Sequence, residues 1–371
     1  MAPDSRPVRR RLDPTVGKAR AMVGALLGLK TTGKNRVVEN PPLILVGCSG
    51  GPDSLALAAV CAFFARRGEV RVGAVVVDHQ MQDGSAEVAR NTAAQLRELG
   101  LDPVLVRTVE LDYDGVGPEA AARAARFGAL EAAALEVGAS NVLLGHTLDD
   151  QAESVLLGLA RGSGTRSLAG MRERRGIYLR PFLGLRREET LEICDALELQ
   201  PWHDPANQDP AYLRVRVRHG VIPFLQDELG PGIAESLARS AGILGRDADF
   251  LDELAAAEYG KLAERGGAAG AAGAENTGEK GDLGQIWLPE AALRGLAPAL
   301  RMRVLALAAV ELGGVQPSLE RLAAAEKLLA REGSAGPVQL AGKVAVYRQS
   351  RNQAGPHEGP GYGKLVLRRN T

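Results

Sequence analysis

Leu43-Ile44-Leu45-Val46-Gly47, followed after Cys48 by Ser49-Gly50-Gly51-Pro52-Asp53-Ser54, is the stretch that sets the fold. The apolar run reads as a buried strand, the glycine pair as a turn, and a helix is expected from near Ser54. Two adjacent glycines let the backbone approach an anion where a Cβ would block it. The first N–H groups of the following helix and the positive end of its dipole suit a phosphate or pyrophosphate. Ser49 and Ser54 add hydroxyl donors, and the Asp53 carboxylate is placed to hold a Mg²⁺ ion or to orient the turn. Gly-Gly-Pro-Asp is also ordinary turn chemistry, but the strand before it and the helix after it favour a nucleotide site. A second stretch, Gly28-Leu29-Lys30-Thr31-Thr32-Gly33-Lys34, opens like another phosphate loop. Asn35 stands where a hydroxyl must reach Mg²⁺, and Ala21 to Leu29 reads as a helix end, so it is set aside.

Outward from this loop, strands are expected at Leu43–Val46, Val72–Val77, Val104–Val109 and Val142–Leu144, with a shorter one near Tyr178–Phe182. Helices are expected at Ser54–Arg67, Ser85–Leu99, Glu119–Val137, Asp149–Ala160 and Arg187–Leu199. Apolar strands alternating with amphipathic helices predict an α/β fold, a doubly wound parallel sheet with ligands at the C-terminal strand ends. Ser49, Asp78, Gly145 and His146 all follow strands. Residues 1–40 read as a basic, partly helical extension, and 41–225 as the nucleotide-binding domain. Residues 226–371 read as a smaller, mainly helical accessory domain, with 226–265 helical throughout. Within it, 266–284 is Gly/Ala-rich and reads as a flexible insertion. Short strands are expected at Val338–Leu340, Lys343–Arg348 and Leu365–Arg368.

A chain of 371 residues is long for one core. Its 45 basic and 45 acidic side chains cancel, so no global field advertises a polyanion. The distribution is uneven, however. Between Arg161 and Arg187 eight arginines face one acid, Glu173, and Arg214, Arg216 and Arg218 then alternate. A run of arginines is usually a solvated face; two beside a nucleotide fold tilt the reading toward a nucleic-acid partner. Cys48, Cys61 and Cys194 are far apart and form no Cys-x-x-Cys pair, which argues against a disulfide framework, a zinc site or an iron–sulfur cluster. Arg9 to Arg11 precede the apolar stretch Ala21–Leu29, yet Asp13 and Pro14 intervene and no small-residue cleavage site follows, so no signal peptide is expected. No segment is long enough to span a membrane, and a reducing cytoplasm fits the cysteine usage.

Three further groups carry chemistry. Asp78 and His79 close the second strand, where they can contact a ribose or base edge or simply cap a turn. Glu119, Arg123 and Arg126 fall at i, i+4 and i+7 on one helix face. Such a line is usually a salt-bridged surface; here the Ala-rich surroundings imply close packing, so the arginines are expected in a cleft, gripping phosphate or offsetting charge. Gly145-His146-Thr147-Leu148-Asp149-Asp150-Gln151-Ala152-Glu153 follows the fourth strand. Thr147 and Asp150 can form a capping box. His146, Asp150 and Glu153 share a helical face, a set that could bind Mg²⁺ or orient an attacking amine.

The Ser49–Ser54 hexapeptide resembles the Ser-Gly-Gly-x-Asp-Ser signature of the PP-loop ATP pyrophosphatases, which implies ATP cleavage between the α- and β-phosphates. The ordered set resembles tRNA(Ile)-lysidine synthetases over roughly residues 41–225. It comprises Ser49–Ser54, Asp78-His79, Glu119 to Phe127, Gly145–Glu153, Leu159 to Gly164, Arg180-Pro181-Phe182-Leu183, and Trp202–Asp209 leading to Tyr212-Leu213-Arg214 and Arg216-Val217-Arg218. Val215 departs from the Arg-Asn that family often shows before the last basic pair. The resemblance implies ATP with Mg²⁺ as cofactors, L-lysine and the CAU-anticodon isoleucine tRNA as partners, and a possible homodimer. It implies catalysis by Asp150 and Arg126, and nucleotide contacts from Ser49, Gly50, Gly51, Asp53, Ser54, Asp78, His79, Gly145 and His146. Substrate contacts would come from Glu119, Arg123, Asp149, Glu153, Arg161, Arg214, Arg216 and Arg218. Alternatives are a tRNA-thiolating enzyme on the same fold, which would need paired catalytic cysteines or a cluster, a small-molecule aminating relative, and a non-catalytic RNA-binding protein.

Overall fold

The computed structural model describes residues 12–33, 38–80, 84–110, 117–267, 283–331, 333–348 and 363–369. Most of the Gly/Ala-rich segment and the first eleven residues lie outside these, as does the end of the Gly28–Lys34 stretch. The chain divides into two compact units between Gly245 and Arg246.

In the first unit, α1 (Pro14–Leu27) precedes β1 (Leu43–Gly47), α2 (Pro52–Arg66), β2 (Arg71–Asp78), α3 (Ser85–Glu98), β3 (Val104–Thr108), α4 (Pro118–Val137), β4 (Asn141–Leu144) and α5 (Leu148–Ala160). The short α6 (Thr165–Leu168), β5 (Arg174–Arg175) and β6 (Tyr178–Leu179) follow, then α7 (Arg187–Ala196), α8 (Leu213–Arg216) and α9 (Ile222–Leu229). The sheet runs β3-β2-β1-β4-β6-β5, parallel except for the β5–β6 pair. Its strands are apolar on both faces because both are covered. Ile44, Val46, Val72, Ala74 and Val76 pack with Leu55, Phe64, Leu96 and Ile193 from α2, α3 and α7. The alternate residues Leu45, Val75, Val142 and Leu144 pack with Leu130, Ala133 and Ala134 of α4. This period-two partition is what makes the sheet doubly wound. The strand order reverses between β1 and β4, and ligands of such sheets bind beyond the strand ends at that switch point.

α1 is not a detached extension. Val16, Ala19 and Val23 are buried in the same cluster as α2, and Asp13 caps the helix by accepting from Thr15 N at 2.8 Å. The division expected near residue 225 falls instead within α10 (Ile233–Leu262), and the helical stretch expected over 226–265 is broken at Gly230-Pro231.

The second unit contains the end of α10, β7 (Glu264–Gly267), β8 (Leu283–Pro289), α11 (Glu290–Gly295), α12 (Pro298–Glu311), α13 (Leu319–Ala330), β9 (Val338–Gln339), β10 (Val344–Arg348) and β11 (Lys364–Arg369). Its sheet, β7-β8-β11-β10-β9, is antiparallel. Inward-facing Ile286, Leu288, Val344, Val346, Leu365 and Leu367 pack on Leu305, Ala308 and Leu328 of the helices. The three expected strands are present; β7 and β8 extend the sheet beyond them. Their glycines read as loop, and the pairing of β8 with β11 and of β7 with β8 supplies what local propensity does not.

Candidate active site at the switch point

The loop after β1 turns at Gly50, whose φ of +84° belongs to the left-handed region. A Cβ there would also lie 2.4 Å from Thr92 Oγ1. Pro52 opens α2, and the Ser54 hydroxyl ties the loop together: it accepts from Ser49 N at 3.1 Å and donates to Gly51 O at 3.0 Å. Gly145 at the end of β4 comes so close that a Cβ would sit 2.8 Å from the Asp53 carbonyl oxygen. The two switch-point loops therefore pack backbone to backbone. From the other side Trp202 N donates to Gly50 O at 2.9 Å.

Beyond these loops lies a cavity of about 540 Å³ lined by Gly51, Asp53, Ser54, His146, Asp150 and Arg187, among others. A second, of about 470 Å³, is lined by Asp78, Gln80, Arg123, Tyr212 and Arg214. Ser49, His79, Arg126, Trp202 and Arg218 border both. Asp78 is buried, with Oδ1 accepting from Gln80 N at 2.9 Å, so it shapes the turn after β2 as well as facing the cavity.

Arg126 makes no ion pair among the described residues; its guanidinium carbon lies 5.7 Å from the Phe127 ring centre, and that of Arg123 4.9 Å. Burial, then Arg123 and Arg214, pull its pKa down. His79 and His146 each leave a buried Nδ1 without a hydrogen-bond partner. Burial lowers the His146 pKa to about 3, Arg180 and Arg126 acting in the same direction against Asp150, so the ring is neutral at physiological pH. Burial, then Arg126, also lowers that of His79. Arg180 is itself buried, its Nε unpartnered and its pKa lowered by burial, then Arg123, to about 10. Unbonded polar nitrogens and an uncompensated guanidinium in one cavity fit an anion with further acceptor groups.

The carboxylates are arranged otherwise. Asp150 does close the capping box: Oδ2 accepts from Thr147 N at 2.8 Å while Thr147 Oγ1 accepts from Asp150 N at 3.4 Å. Its Oδ1 accepts from Arg187 Nη2 at 2.9 Å, and Arg218 Nη2 lies at 3.5 Å. Burial alone would raise its pKa; Arg187 and the Thr147 N–H outweigh that and hold it below the usual carboxylate range. Asp53 receives a hydrogen bond from the Thr190 hydroxyl and has Arg187 Nε 3.5 Å from Oδ2. Burial dominates there and raises its pKa.

Two expected substrate contacts are corrected. Glu153 shares a face with Asp150, yet it is fully buried, lines neither cavity, and pairs with Arg214 Nε at 2.9 Å, Arg218 Nε at 2.7 Å and Arg187 Nη1 at 3.4 Å. Asp149 accepts from Arg187 N at 2.7 Å and pairs with Arg186 at 3.0 Å, fixing the start of α7. His146, Asp150 and Glu153 do not converge on one point, and no cluster of three metal-ligating side chains exists among the described residues. Glu119 is the second residue of α4; its side chain lies outside the described residues. Arg161 is exposed at the end of α5, and Arg216 donates to Pro210 O and Ala211 O, away from both cavities.

Arg214 and Arg218, four residues apart on one helix face, reach Glu153 together, and a wide turn, Val217–Val221, lies between α8 and α9. Such turns re-aim side chains and are frequent at functional sites. From sequence Arg187 stands only in a basic cluster, Arg180 and Trp202 belong to family motifs without an individual role, and Thr190 has none. Arg187 is four residues from the end of Arg180-Pro181-Phe182-Leu183, a motif boundary that could have drawn attention to it.

Residues 29–225 match the model of the PP-loop domain, and residues 288–351 that of the TilS substrate binding domain. A tRNA(Ile)-lysidine synthase of Leifsonia xyli subsp. xyli is 50% identical over 308 residues, 83% of this chain and 88% of the relative. Those of Thermobifida fusca and Streptomyces coelicolor are 48% and 45% identical, covering 77% and 88% of this chain and 83% and 85% of the relatives. A solved U34-tRNA thiolase, NcsA from Methanococcus maripaludis with its 4Fe–4S cluster, is 20% identical with a TM-score of 0.49, covering 62% of this chain and 80% of its own. On the extent of these matches, the chain belongs to the tRNA(Ile)-lysidine synthase family.

Proposed function

We propose that this chain uses ATP to join L-lysine to C2 of the wobble cytidine in the CAU-anticodon isoleucine tRNA. The cytidine O2 attacks the α-phosphorus of ATP and pyrophosphate leaves. The lysine side-chain amine then attacks C2, and AMP departs with the oxygen while the nitrogen gives up its proton to solvent. A cytosine carbonyl oxygen is a poor leaving group; as AMP it is a good one. The observation that carries the reading is Arg126, a cavity cation with no carboxylate partner among the described residues, beside two neutral imidazoles and a glycine loop.

The N–H groups at Gly50 and Gly51, the start of α2, and Ser49 and Ser54 would hold the phosphates. Asp78, His79, Gly145 and His146 would meet the ribose and base. Arg126 would offset charge on the adenylated cytidine, with Arg123 beside it. Asp150, kept ionised, would attract and orient the lysine amine rather than store a proton. Among the described residues the Asp53 Oδ2 meets only Arg187, at 3.5 Å, so it has lone pairs with which it would help hold a Mg²⁺ ion. One carboxylate plus phosphate and water oxygens is the usual Mg²⁺ arrangement at nucleotides. When bound, the ion would neutralise triphosphate charge. Arg161, Arg214, Arg216, Arg218 and the second unit would hold the tRNA, giving salt-sensitive affinity. A cytoplasmic location and a homodimer complete the proposal; among the described residues no helix is long and apolar enough to cross a membrane.

Thiolation is the weaker reading. All three cysteines are buried, and burial pushes each thiol pKa up, the opposite of an activated thiolate. The test is incorporation of labelled lysine into bulk tRNA by the purified protein, with and without ATP. ATP-dependent label confined to the CAU-anticodon isoleucine tRNA is expected; pyrophosphate release without label would move the acceptor elsewhere.

A further inference from the structure

Arg187 stands at the first position of α7 and points into the loop cavity. Its three nitrogens face three different carboxylates: Nε lies 3.5 Å from Asp53, Nη2 2.9 Å from Asp150 and Nη1 3.4 Å from Glu153. These come from two elements, Asp53 from the start of α2 and the other two from α5. The backbone of Arg187 is anchored separately, its N–H on Asp149 at 2.7 Å, and Thr190 one turn later donates to Asp53. The first turn of α7 thus fastens the phosphate loop to the loop after β4 through polar contacts at both ends.

We propose that Arg187 is a positioning residue for lysine transfer: its planar guanidinium sets the distance and orientation of Asp53 relative to Asp150. Removing it leaves two cavity carboxylates that repel across an open site, so the phosphate end and the amine end of the reaction lose register. The fork geometry matters beyond the charge, because an ammonium is a point charge and cannot address three carboxylates in one plane. Glu153 retains Arg214 and Arg218 when Arg187 is removed, so the buried hub beneath is not emptied. This inference rests on reading the cavity as the ATP and lysine site.

The experiment compares wild type, Arg187→Ala and Arg187→Lys for ATP-dependent lysine incorporation, with thermal melts and with added guanidinium at millimolar concentration. Arg187→Ala is expected to lose about 100-fold in kcat with a smaller change in KM for ATP, as expected when a reacting group is misplaced by about an ångström. Guanidinium should restore at least about ten-fold of that loss and leave wild type unchanged, while Arg187→Lys melts near wild type yet stays more than about ten-fold slow. Turnover of Arg187→Ala within about three-fold of wild type overturns the proposal. So does a loss that guanidinium does not reverse and that Arg187→Lys repairs in full, since charge or bulk alone would then be the requirement. Absence of lysine incorporation by wild type would instead overturn the functional reading itself.

Discussion

Two groups of charged side chains at and beneath the switch-point cavities are organised in opposite ways. Asp53, Asp150 and Glu153 are matched against Arg187, Arg214 and Arg218, each carboxylate within 3.5 Å of a guanidinium. Arg126 and Arg180 have no such partner among the described residues, and His79 and His146 leave buried nitrogens unbonded. The first group neutralises most of its own charge, and Glu153, sealed from both cavities, serves only to hold the helices around it in place. In the second, Arg126, His79 and His146 face the cavity with charge and hydrogen-bonding capacity that an anionic ligand can complete, while Arg180 lies buried behind them. Stability and activity should therefore separate between the two groups.

The most damaging change should be Glu153→Ala. It leaves three guanidinium groups around an empty buried position, and breaking such a network costs about 3–5 kcal/mol. A thermal melt should show a fall on the order of 10 °C. Unchanged melting would mean that the hub is not structural, and the contrast would collapse. Arg126→Ala should do the reverse. It removes a cation with no ion-pair partner among the described residues, so the melt should stay within about 2 °C while lysine transfer falls roughly 10²- to 10³-fold. A variant that melts early but turns over normally would place Arg126 with the structural group.

The sequence showed one group more clearly than the other. Arg126 was reachable because i, i+4 and i+7 spacing in an Ala-rich helix is a local pattern, and the Ser49–Ser54 and Gly145–Asp150 loops follow apolar strands whose period is local too. Glu153 was misread for the same reason: it shares a face with Asp150, but α8 and the wide turn after it, some sixty residues along the chain, cover that position. No local rule predicts such a meeting, nor the meeting of Arg187 at the start of α7 with Asp53 at the start of α2. In the second unit, β7 and β8 were hidden because their glycines weaken the local pattern; β8 becomes a strand by pairing with β11, and β7 by pairing with β8.

Acid should expose the cationic group selectively. The His146 pKa lies near 3 in the fold, below its ordinary value of 6.5. The unfolded chain therefore takes up that proton first as pH falls, so the contribution of His146 to stability is whole above about 6.5 and declines toward 3. By pH 4.5 the decline amounts to roughly 3 kcal/mol. His146→Gln should remove this part of the acid sensitivity, read as a smaller drop in denaturant midpoint between pH 6.5 and 4.5. An identical drop in both proteins would show that His146 is not held neutral by its surroundings.

Arg161→Ala should have the smallest effect and still sharpen the contrast. Arg161 is exposed and belongs to neither group. If it touches a tRNA phosphate, its loss should weaken tRNA binding a few-fold regardless of sequence and make the slope of log affinity against log salt shallower by about one. Melting temperature, ATP affinity and turnover at saturating tRNA should not move. A slope that stays the same would remove Arg161 from the tRNA surface. A change in turnover at saturation would instead mean that charge outside the cavity reaches the chemistry, and the division between the positioning and ligand-binding groups would have to be redrawn to include it.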